Sequence, residues 1–141
     1  MLNILPMKTV TVKLGFSVAK RLLDYEGKCN YLHGYFHMAE FTFSSSGNAG
    51  IVADFNELKE ELSNWLDKNW DHNVILNKQD KPLGNAIEDL TGQKVFYLDK
   101  DPTAENIAEY LKEKICPELF PDLSCTRIRL YDTPDEYVEV N

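Results

Sequence analysis

Cysteine is scarce in this sequence, and its distribution argues against a disulfide framework. The three cysteines, Cys29, Cys116 and Cys125, are an odd number in 141 residues. Small secreted domains held by disulfides carry more cysteines, usually in even numbers. We therefore expect a cytoplasmic protein with reduced thiols, in which a cysteine is available for chemistry.

Positive charge and long apolar runs are also lacking. Lysine and arginine total 15 against 23 aspartates and glutamates, for a net charge of -8 and a sequence pI near 4.8. Binding to nucleic acid or to an anionic membrane surface relies on a positive field, so neither is an expected partner. No apolar run approaches the ~18 residues of a membrane-spanning helix. Residues 1–10 do not have the pattern of a signal peptide.

Internal repeats and low-complexity linkers are absent too, apart from a short Ser/Gly-rich patch at Ser44–Gly50. Such a patch is typical of a hairpin or of a strand-to-helix connection. The 43% of hydrophobic residues is enough for a packed core, and the length is that of one domain. We predict a single domain over residues 1–141.

Two segments near the N-terminus have the pattern of strands. Over Lys8–Phe16 apolar residues alternate with others, which is the period of a half-buried strand. An irregular stretch, Leu22–Leu32, separates it from the aromatic-rich segment Tyr35–Phe43. As a strand, this second segment would place every alternate residue from Tyr35 to Phe43 on one face.

Two further segments have helical periodicity and a capping residue. Asp54 stands at the N-cap of a helix predicted over about residues 55–69, with apolar and charged residues on opposite faces. Thr103 begins a second helix whose apolar stripe runs over 104–115, and Pro117 is expected to end it.

Short strands at Val95–Leu98 and Thr126–Tyr131, with Tyr137–Val140 as an extension, complete the predicted elements. Their order is β, β, α, short β, α, β. Because the first two strands are consecutive and each helix has one apolar face, the sequence favours an α+β fold with an antiparallel sheet and helices on one side.

Two polar segments carry residues that could act in proton transfer. Cys29 and His33 precede the second strand, where a thiol and an imidazole could serve as nucleophile, base or metal ligands, or could simply be packed. Asp71 and His72 follow the first helix. A carboxylate can fix the tautomer of a neighbouring imidazole and raise its basicity, but the pair could equally belong to a polar loop.

Two other polar segments could bind a ligand. Glu105 follows Thr103 in a first helical turn, where a carboxylate also interacts favourably with the helix dipole. Asp132 and Thr133 end the last strand. A carboxylate there could accept two N–H groups of a planar heterocycle, or could merely end the strand.

Taken together, these segments resemble the 6-pyruvoyl- and 6-carboxy-tetrahydropterin synthase family over about Val12 to Val140. The matching islands, in order, are residues 16–22, Cys29 to Gly34, Asp54-Phe55 with Leu58-Lys59, Asp71-His72 with Leu76-Asn77, residues 102–106, and Asp132-Thr133. The resemblance implies the tunnelling fold, a four-stranded antiparallel sheet with two helices on one face. It also implies a homo-oligomer, a trimer whose sheets close a barrel or a dimer of trimers, with active sites between subunits.

The resemblance also implies roles for individual residues. The family's thiol base corresponds to Cys29, and its proton-transfer pair to Asp71 and His72. The pterin-anchoring carboxylate corresponds to Asp132, with Thr133 beside it. Members usually have glutamate there, so the carboxylate is withdrawn by roughly 1.5 Å. Glu105 and Thr103 correspond to a segment beside the pterin pocket.

The sequence departs from the family at its zinc site. Members bind a catalytic zinc through three histidines, and the corresponding positions hold Lys20, His33 and Tyr35. A catalytic zinc needs three protein ligands, and a protonated lysine cannot be one, so we expect no metal by the family's mode and no other cofactor. His37 is no substitute, because on a regular strand it lies roughly 13 Å from His33.

Two interpretations of the altered positions stay open. The Lys20 ammonium, with Tyr35 as a hydrogen-bond donor, could supply a fixed positive charge toward substrate oxygens or toward Cys29. Alternatively, the two residues are drift in a copy that no longer catalyses.

The sequence thus predicts a divergent pterin synthase homologue that acts on or binds a dihydroneopterin triphosphate-like pterin, as a lyase without the family's zinc. The alternative is a non-catalytic module that holds a pterin or purine-like heterocycle through Asp132 and Glu105, or a structural partner of an active relative. The pyruvoyl product and the carboxy product of the queuosine route are not distinguished by sequence alone.

Overall fold

A long antiparallel strand pair organises the fold. The computed structural model describes residues 7–45 and 50–141, so most of the predicted Ser44–Gly50 connection lies outside the described residues. The strands are β1 (Thr9–Lys20), β2 (His33–Ser44), β3 (Asn73–Asn77), β4 (Val95–Leu98), β5 (Ser124–Thr133) and β6 (Glu136–Val140). The helices are α1 (Phe55–Asn69), α2 (Lys81–Thr91), α3 (Ala104–Tyr110) and α4 (Cys116–Leu119).

The predicted alternation in β1 and β2 is confirmed and fixes which side chains share a face. Thr9 pairs with Ser44 at one end and Lys20 with His33 at the other, without interruption. Phe16 is directly opposite His37, and both are buried on the face that α1 and α3 cover. The alternate side chains of each strand, including the exposed Phe36, lie on the opposite face of the sheet.

The predicted helix at 55–69 is also confirmed. The Asp54 carboxylate accepts hydrogen bonds from the backbone N–H groups of Asn56 and Glu57 at 2.7 and 3.3 Å, as an N-cap does. Leu58 and Leu62 on the apolar face are 1% exposed. Their burial against the sheet is worth about 1.5–3 kcal/mol for each side chain.

The predicted four-stranded antiparallel sheet is wrong in strand number and direction. The sheet is mixed and has six strands in the order β4-β3-β1-β2-β5-β6, because β3 and β4 add in parallel to the free edge of β1. Sequence patterns do not predict β3, because its residues Val74 to Asn77 are all buried. Such a strand lacks the alternation of apolar and polar residues that marks a half-buried strand. β6 forms a hairpin with β5.

Helix α2 was not predicted and covers the other face of the sheet. Leu83 and Ile87 pack with Val74, Leu76 and Val95 in a separate apolar cluster. Pro82 and Gly84 lie within the helix and weaken its sequence pattern. The expectation of helices on one face therefore holds for α1, α3 and α4 but not for α2.

The second predicted helix is longer and less regular than expected. It begins at the Thr103 cap, but a π-helical turn over Leu111–Ile115 separates α3 from α4. Pro117 does not end the helix, because it lies in the first turn of α4, where its missing N–H needs no partner. In the described part of the chain no helix is long and apolar enough to cross a bilayer.

Candidate active site

The side chains at the three positions where the resemblance implies zinc ligands meet where β1 ends and β2 begins. Lys20 is directly opposite His33, and Tyr35 is the next residue of β2 on the same face. The Lys20 ammonium lies 4.6 Å from the centroid of the Tyr35 ring. The His33 and Tyr35 rings meet edge to face at 5.1 Å between centroids, so strand register alone gathers residues that are far apart in sequence.

Lys20 is the buried cation of this cluster. Only 4% of its surface is exposed. Burial lowers the pKa of its ammonium below the ordinary value, and the nearby acidic groups of Asp132, Glu105 and Cys29 only partly offset this effect. The Tyr35 ring contributes the cation–π contact, which is stronger in such a desolvated place than at a surface.

His37 extends the cluster into the core. Its ring stacks on Tyr35 at 5.2 Å between centroids and 7° between planes. Its Nδ1 donates to the Tyr131 carbonyl at 2.9 Å, while the buried Nε2 has no partner among the described residues. Burial, with a smaller effect of the Lys20 charge, lowers the pKa of His37 to about 4, so the imidazole is neutral at pH 7.

Asp132 faces the same cluster from the end of β5. Its Oδ1 lies 3.8 Å from the His37 Nδ1, and within the described ranges this buried oxygen accepts no hydrogen bond. An unsatisfied buried acceptor is costly and marks a place where a ligand donor would be favourable. Thr133 is exposed, and its hydroxyl accepts a hydrogen bond from the Asp135 backbone at 3.2 Å.

Cys29 reaches this region on a loop whose backbone is firmly anchored. The Leu22 N–H donates to the Cys29 carbonyl at 2.8 Å. The next two N–H groups, of Leu23 and Asp24, donate to the Asp101 carboxylate at 3.0 and 3.1 Å. The thiol is half-buried, so the loop holds a reachable sulfur near Lys20.

Thr103 caps α3 and Glu105 lies in its first turn, as predicted. The Thr103 hydroxyl accepts a hydrogen bond from the Asn106 N–H at 3.1 Å, which is its role as a cap. Glu105 is exposed, and its charge acts on Lys20. The start of α3 thereby adds the Glu105 carboxylate to that of Asp132 among the charges that act on the Lys20 ammonium.

Asp71 and His72 form the predicted hydrogen-bonded pair. The His72 Nδ1 lies 2.8 Å from the Asp71 carboxylate, which also accepts the Ser17 N–H at 2.7 Å. Burial opposes the charged form of Asp71, but these hydrogen bonds outweigh it and lower the pKa of the carboxyl. The ionised carboxylate fixes the proton on Nδ1 and leaves Nε2 as a base.

The His72 backbone has a φ of 61°, which is rare for a residue with a Cβ and is often found at functional sites. Its N–H donates to the Ser17 carbonyl at 2.7 Å. The Asp71–His72 pair is therefore fixed to β1 by two hydrogen bonds, one to the N–H and one to the carbonyl of Ser17.

The Asp71–His72 pair opens away from the Lys20 cluster. His72 borders a shallow open cleft of about 370 Å³ with Ser17, Ala19 and Phe36, whose side chains are on the sheet face opposite to Lys20, although Tyr35 also lines the cleft. Its own side chain is 82% exposed. Within one chain, therefore, His72 and the Lys20 cluster do not share one enclosed pocket.

Comparisons with known proteins identify the family of this chain. Residues 9–141 match the family described as 6-pyruvoyl tetrahydropterin synthase. The chain belongs to this family. It is 42% identical to the 6-carboxy-5,6,7,8-tetrahydropterin synthase of Rickettsia bellii and 39% identical to that of Rickettsia conorii. In both cases the match covers 92% of this chain and 97% of the relative.

Solved structures show the same fold at lower identity. The 6-pyruvoyl tetrahydropterin synthase of Caenorhabditis elegans has a TM-score of 0.67 at 22% identity, covering 99% of both chains. An uncharacterized protein of Wolinella succinogenes has a TM-score of 0.75 at 18% identity, covering 96% of this chain and 98% of the other.

The three-histidine zinc set expected from the 6-pyruvoyl tetrahydropterin synthase family does not fit the side chains found here. Lys20 and Tyr35 face His33, so one imidazole is available where three are needed. His37 is separated from His33 by the Tyr35 ring. Over residues 7–45 and 50–141, no group of three or more His, Cys, Asp and Glu is placed to hold an ion.

Sequence reasoning missed two residues that shape the synthase-like site. Asp101 anchors the Cys29 loop from a position 78 residues away from Leu23, and no local pattern indicates such a contact. His37 was considered only as a substitute zinc ligand. The one indication of the stacking between the Tyr35 and His37 rings in the sequence is that these residues are two positions apart in an aromatic-rich strand, and so lie on the same face.

Proposed function

We propose that this protein is a pterin synthase of the 6-carboxytetrahydropterin type, which converts a dihydroneopterin triphosphate-like substrate. The observation that carries the proposal is the retained proton-transfer set. Cys29 is half-buried on an anchored loop, and the Asp71–His72 pair keeps its 2.8 Å contact. The identity of about 40% to the Rickettsia 6-carboxy synthases over nearly the whole chain supports the carboxy product.

In this proposal Asp132 anchors the pterin. Its unsatisfied Oδ1 would accept N–H groups of the planar heterocycle, a charge-assisted interaction stronger than a neutral one. Thr133, Glu105 and Thr103 would border the same pocket. The aspartate is shorter than the usual glutamate, so the ring would sit roughly one bond length deeper.

Cys29 would then remove a proton from the substrate side chain, and His72 would exchange protons with its hydroxyl groups. Such general acid–base steps are worth about 10²–10⁴-fold in rate each. The Lys20 ammonium and the Tyr35 hydroxyl stand in the positions of zinc ligands, and we propose that the protein works without zinc there. Drift of these two positions in an inactive copy is the competing explanation.

The site requires a second copy of the chain in this proposal. His72 faces the opposite side of the sheet from the Lys20 cluster, so His72 of one protomer would complete the site of its neighbour. This accounts for the expected homo-oligomer. The oligomeric state and the cytoplasmic location remain predictions.

Incubation with dihydroneopterin triphosphate and chromatography of the products tests the function. A new tetrahydropterin product that disappears in Cys29→Ala and His72→Gln supports it. Unchanged substrate at high enzyme concentration contradicts it. If reduced pterins still bind with measurable heat, the protein is instead the non-catalytic pterin-binding module.

A further inference from the structure

The loop that carries Cys29 has little apolar support. Residues 21–32 lie wholly within the described part of the chain, and none of them is buried or belongs to an apolar cluster. Tyr25 and Tyr31 are 50% and 71% exposed. Because apolar burial is the main favourable term in folding, a loop without it is held by its hydrogen bonds. The position of the Cys29 thiol therefore depends on those bonds.

Three hydrogen bonds join the two ends of this loop. The Asn30 side-chain amide donates to the carbonyl of Leu22 at 3.1 Å and to the carbonyl of Leu23 at 3.2 Å. The Leu22 N–H donates to the Cys29 carbonyl at 2.8 Å. The amide of Asn30 thus uses both of its N–H donors to hold residues 22–23 beside residues 29–30. We call this pairing the neck of the loop.

The first side of the neck is fixed to the rest of the fold. Arg21 donates through Nε and Nη2 to the two carboxylate oxygens of Asp80, both at 2.6 Å, and Asp80 is 4% exposed. A bidentate ion pair restricts orientation as well as distance. The next N–H groups, of Leu23 and Asp24, donate to the Asp101 carboxylate. This side of the neck is therefore a rigid reference point at the end of β1.

The Cys29 side of the neck has a defined shape but fewer attachments. The Asn30 N–H donates to the Gly27 carbonyl at 3.1 Å and the Tyr31 N–H to the Lys28 carbonyl at 3.0 Å, so both bonds lie within one short turn. Gly27 has a φ of 138°, in a region that is essentially restricted to glycine. Such bonds preserve the shape of the turn. They do not fix its position relative to β1, which the neck does.

We propose that Asn30 is a positioning residue for Cys29, whose two amide N–H groups fix the thiol relative to the end of β1. The inference rests on the proposed function, in which Cys29 removes a proton from the substrate. Without the amide, the neck keeps only the bond between Leu22 and Cys29. The thiol would then shift relative to a substrate held by Asp132, and a displacement of about 1 Å can lower a catalysed rate by roughly 10²-fold.

Hydrogen exchange distinguishes positioning of the loop from general support of the fold. Because residues 21–32 lie outside the apolar clusters, Asn30→Ala should loosen the loop without unfolding the protein. We expect peptides covering residues 21–31 to exchange roughly tenfold faster, the change expected on losing two hydrogen bonds. Peptides from β1 should exchange at the wild-type rate. The midpoint of urea unfolding should match that of Asn64→Ala, a control at an exposed position of α1.

Two measurements report on the Cys29 thiol itself. Alkylation by iodoacetamide, followed by mass spectrometry of the Cys29 peptide, should be roughly tenfold faster in Asn30→Ala, because the half-buried sulfur becomes accessible when the loop opens. With dihydroneopterin triphosphate, kcat should fall roughly 10²-fold. KM should stay the same, because Asp132, the proposed pterin anchor, lies on β5 and makes no contact in the neck. A general loss of structure would change both constants.

A second variant separates the donors of Asn30 from its size. Asn30→Asp has nearly the same shape, but its carboxylate oxygens would face the carbonyls of Leu22 and Leu23 as acceptors. We expect this variant to open the neck at least as much as Asn30→Ala does. The matched control Asn64→Asp should behave as the wild type in exchange, alkylation and turnover. Wild-type behaviour of Asn30→Asp would overturn the proposal.

Alkylation and exchange need no substrate, so this inference and the proposed function fail separately. Faster alkylation confined to the loop, with no turnover by the wild-type protein, supports the positioning of the thiol and refutes the proposed function. Turnover that Asn30→Ala leaves unchanged keeps the proposed function and overturns the inference. Equal acceleration of exchange in the loop and in β1 also overturns it, because Asn30 would then support the fold as a whole.

Discussion

The ammonium of Lys20 lies over the ring of Tyr35, and Tyr35 stacks on His37. This relationship links a buried cation to a buried neutral imidazole through one aromatic ring. Each partner depends on the others, because removing the ring would expose both polar groups to each other.

Replacing both altered positions should restore a metal site. Lys20→His with Tyr35→His would place three imidazoles on one face around His33, the ligand type and number that a zinc site needs. We expect the double variant to retain about one zinc per chain, the stoichiometry of a single site, in elemental analysis after purification without chelator. The wild-type protein should retain none. A wild-type protein that carries zinc at that level would show that the altered positions still permit a metal.

His37 should make the protein sensitive to acid. Its folded-state pKa of about 4 lies below the unfolded value of 6.5, so the unfolded chain takes up a proton first as the pH falls. The free energy of unfolding should therefore decrease between pH 6.5 and 4, by about 3 kcal/mol from this group, and not change above pH 7.

Urea unfolding of the wild type and of His37→Phe at pH 7 and at pH 4.5 measures this effect. Phenylalanine keeps a ring against Tyr35 but has no titration, so the variant should lose a smaller part of its stability on acidification. Equal losses in the two proteins would contradict the prediction, since Asp71 and other carboxylates contribute to both.

Asp101 should act as a positioning residue for Cys29. Its carboxylate accepts hydrogen bonds from Leu23, Asp24 and the Asn77 amide, and leaving such donors unsatisfied costs about 1–3 kcal/mol. We expect Asp101→Ala to lower the free energy of unfolding by that amount and to speed alkylation of Cys29, followed by mass spectrometry of its peptide.

The neighbouring Asp99→Ala is the matched control. Asp99 is 87% exposed and makes a surface ion pair with Lys78, which is worth about 0–1 kcal/mol. It should leave the alkylation rate of Cys29 unchanged. A similar increase in both variants would mean that the effect is not specific to the anchored loop.

Mixing two inactive variants should restore activity if the site is shared. Cys29→Ser and His72→Gln are each expected to be inactive alone. When the two chains are unfolded and refolded together, about one quarter of the sites would combine an intact Cys29 with an intact His72 from another chain. Recovery of that order in the dihydroneopterin triphosphate assay supports the shared site. No recovery from demonstrably mixed oligomers would place both residues in one chain.

A contact of the site could be predicted when its two residues are close together in the sequence. The Asp71–His72 contact joins neighbours in sequence, and the caps at Asp54 and Thr103 act within one helical turn, so sequence patterns were sufficient for them. The Asp101 anchor and the His37–Tyr131 hydrogen bond join residues 78 and 94 positions apart. Nothing in the sequence near either partner indicates these contacts.

The sequence by itself determined the strand pair β1–β2, the helix α1 and the order of the functional segments, because hydrophobic periodicity and capping are local properties. Through the family resemblance it also predicted that Lys20 and Tyr35 occupy two of the three zinc-histidine positions and that His33 keeps the third. Only the tertiary structure decided the six-stranded mixed sheet, since fully buried short strands such as β3 carry no alternation. It alone decided the burial of Lys20 against Tyr35, because strand register and the packing of distant elements remove the water that would otherwise solvate the ammonium.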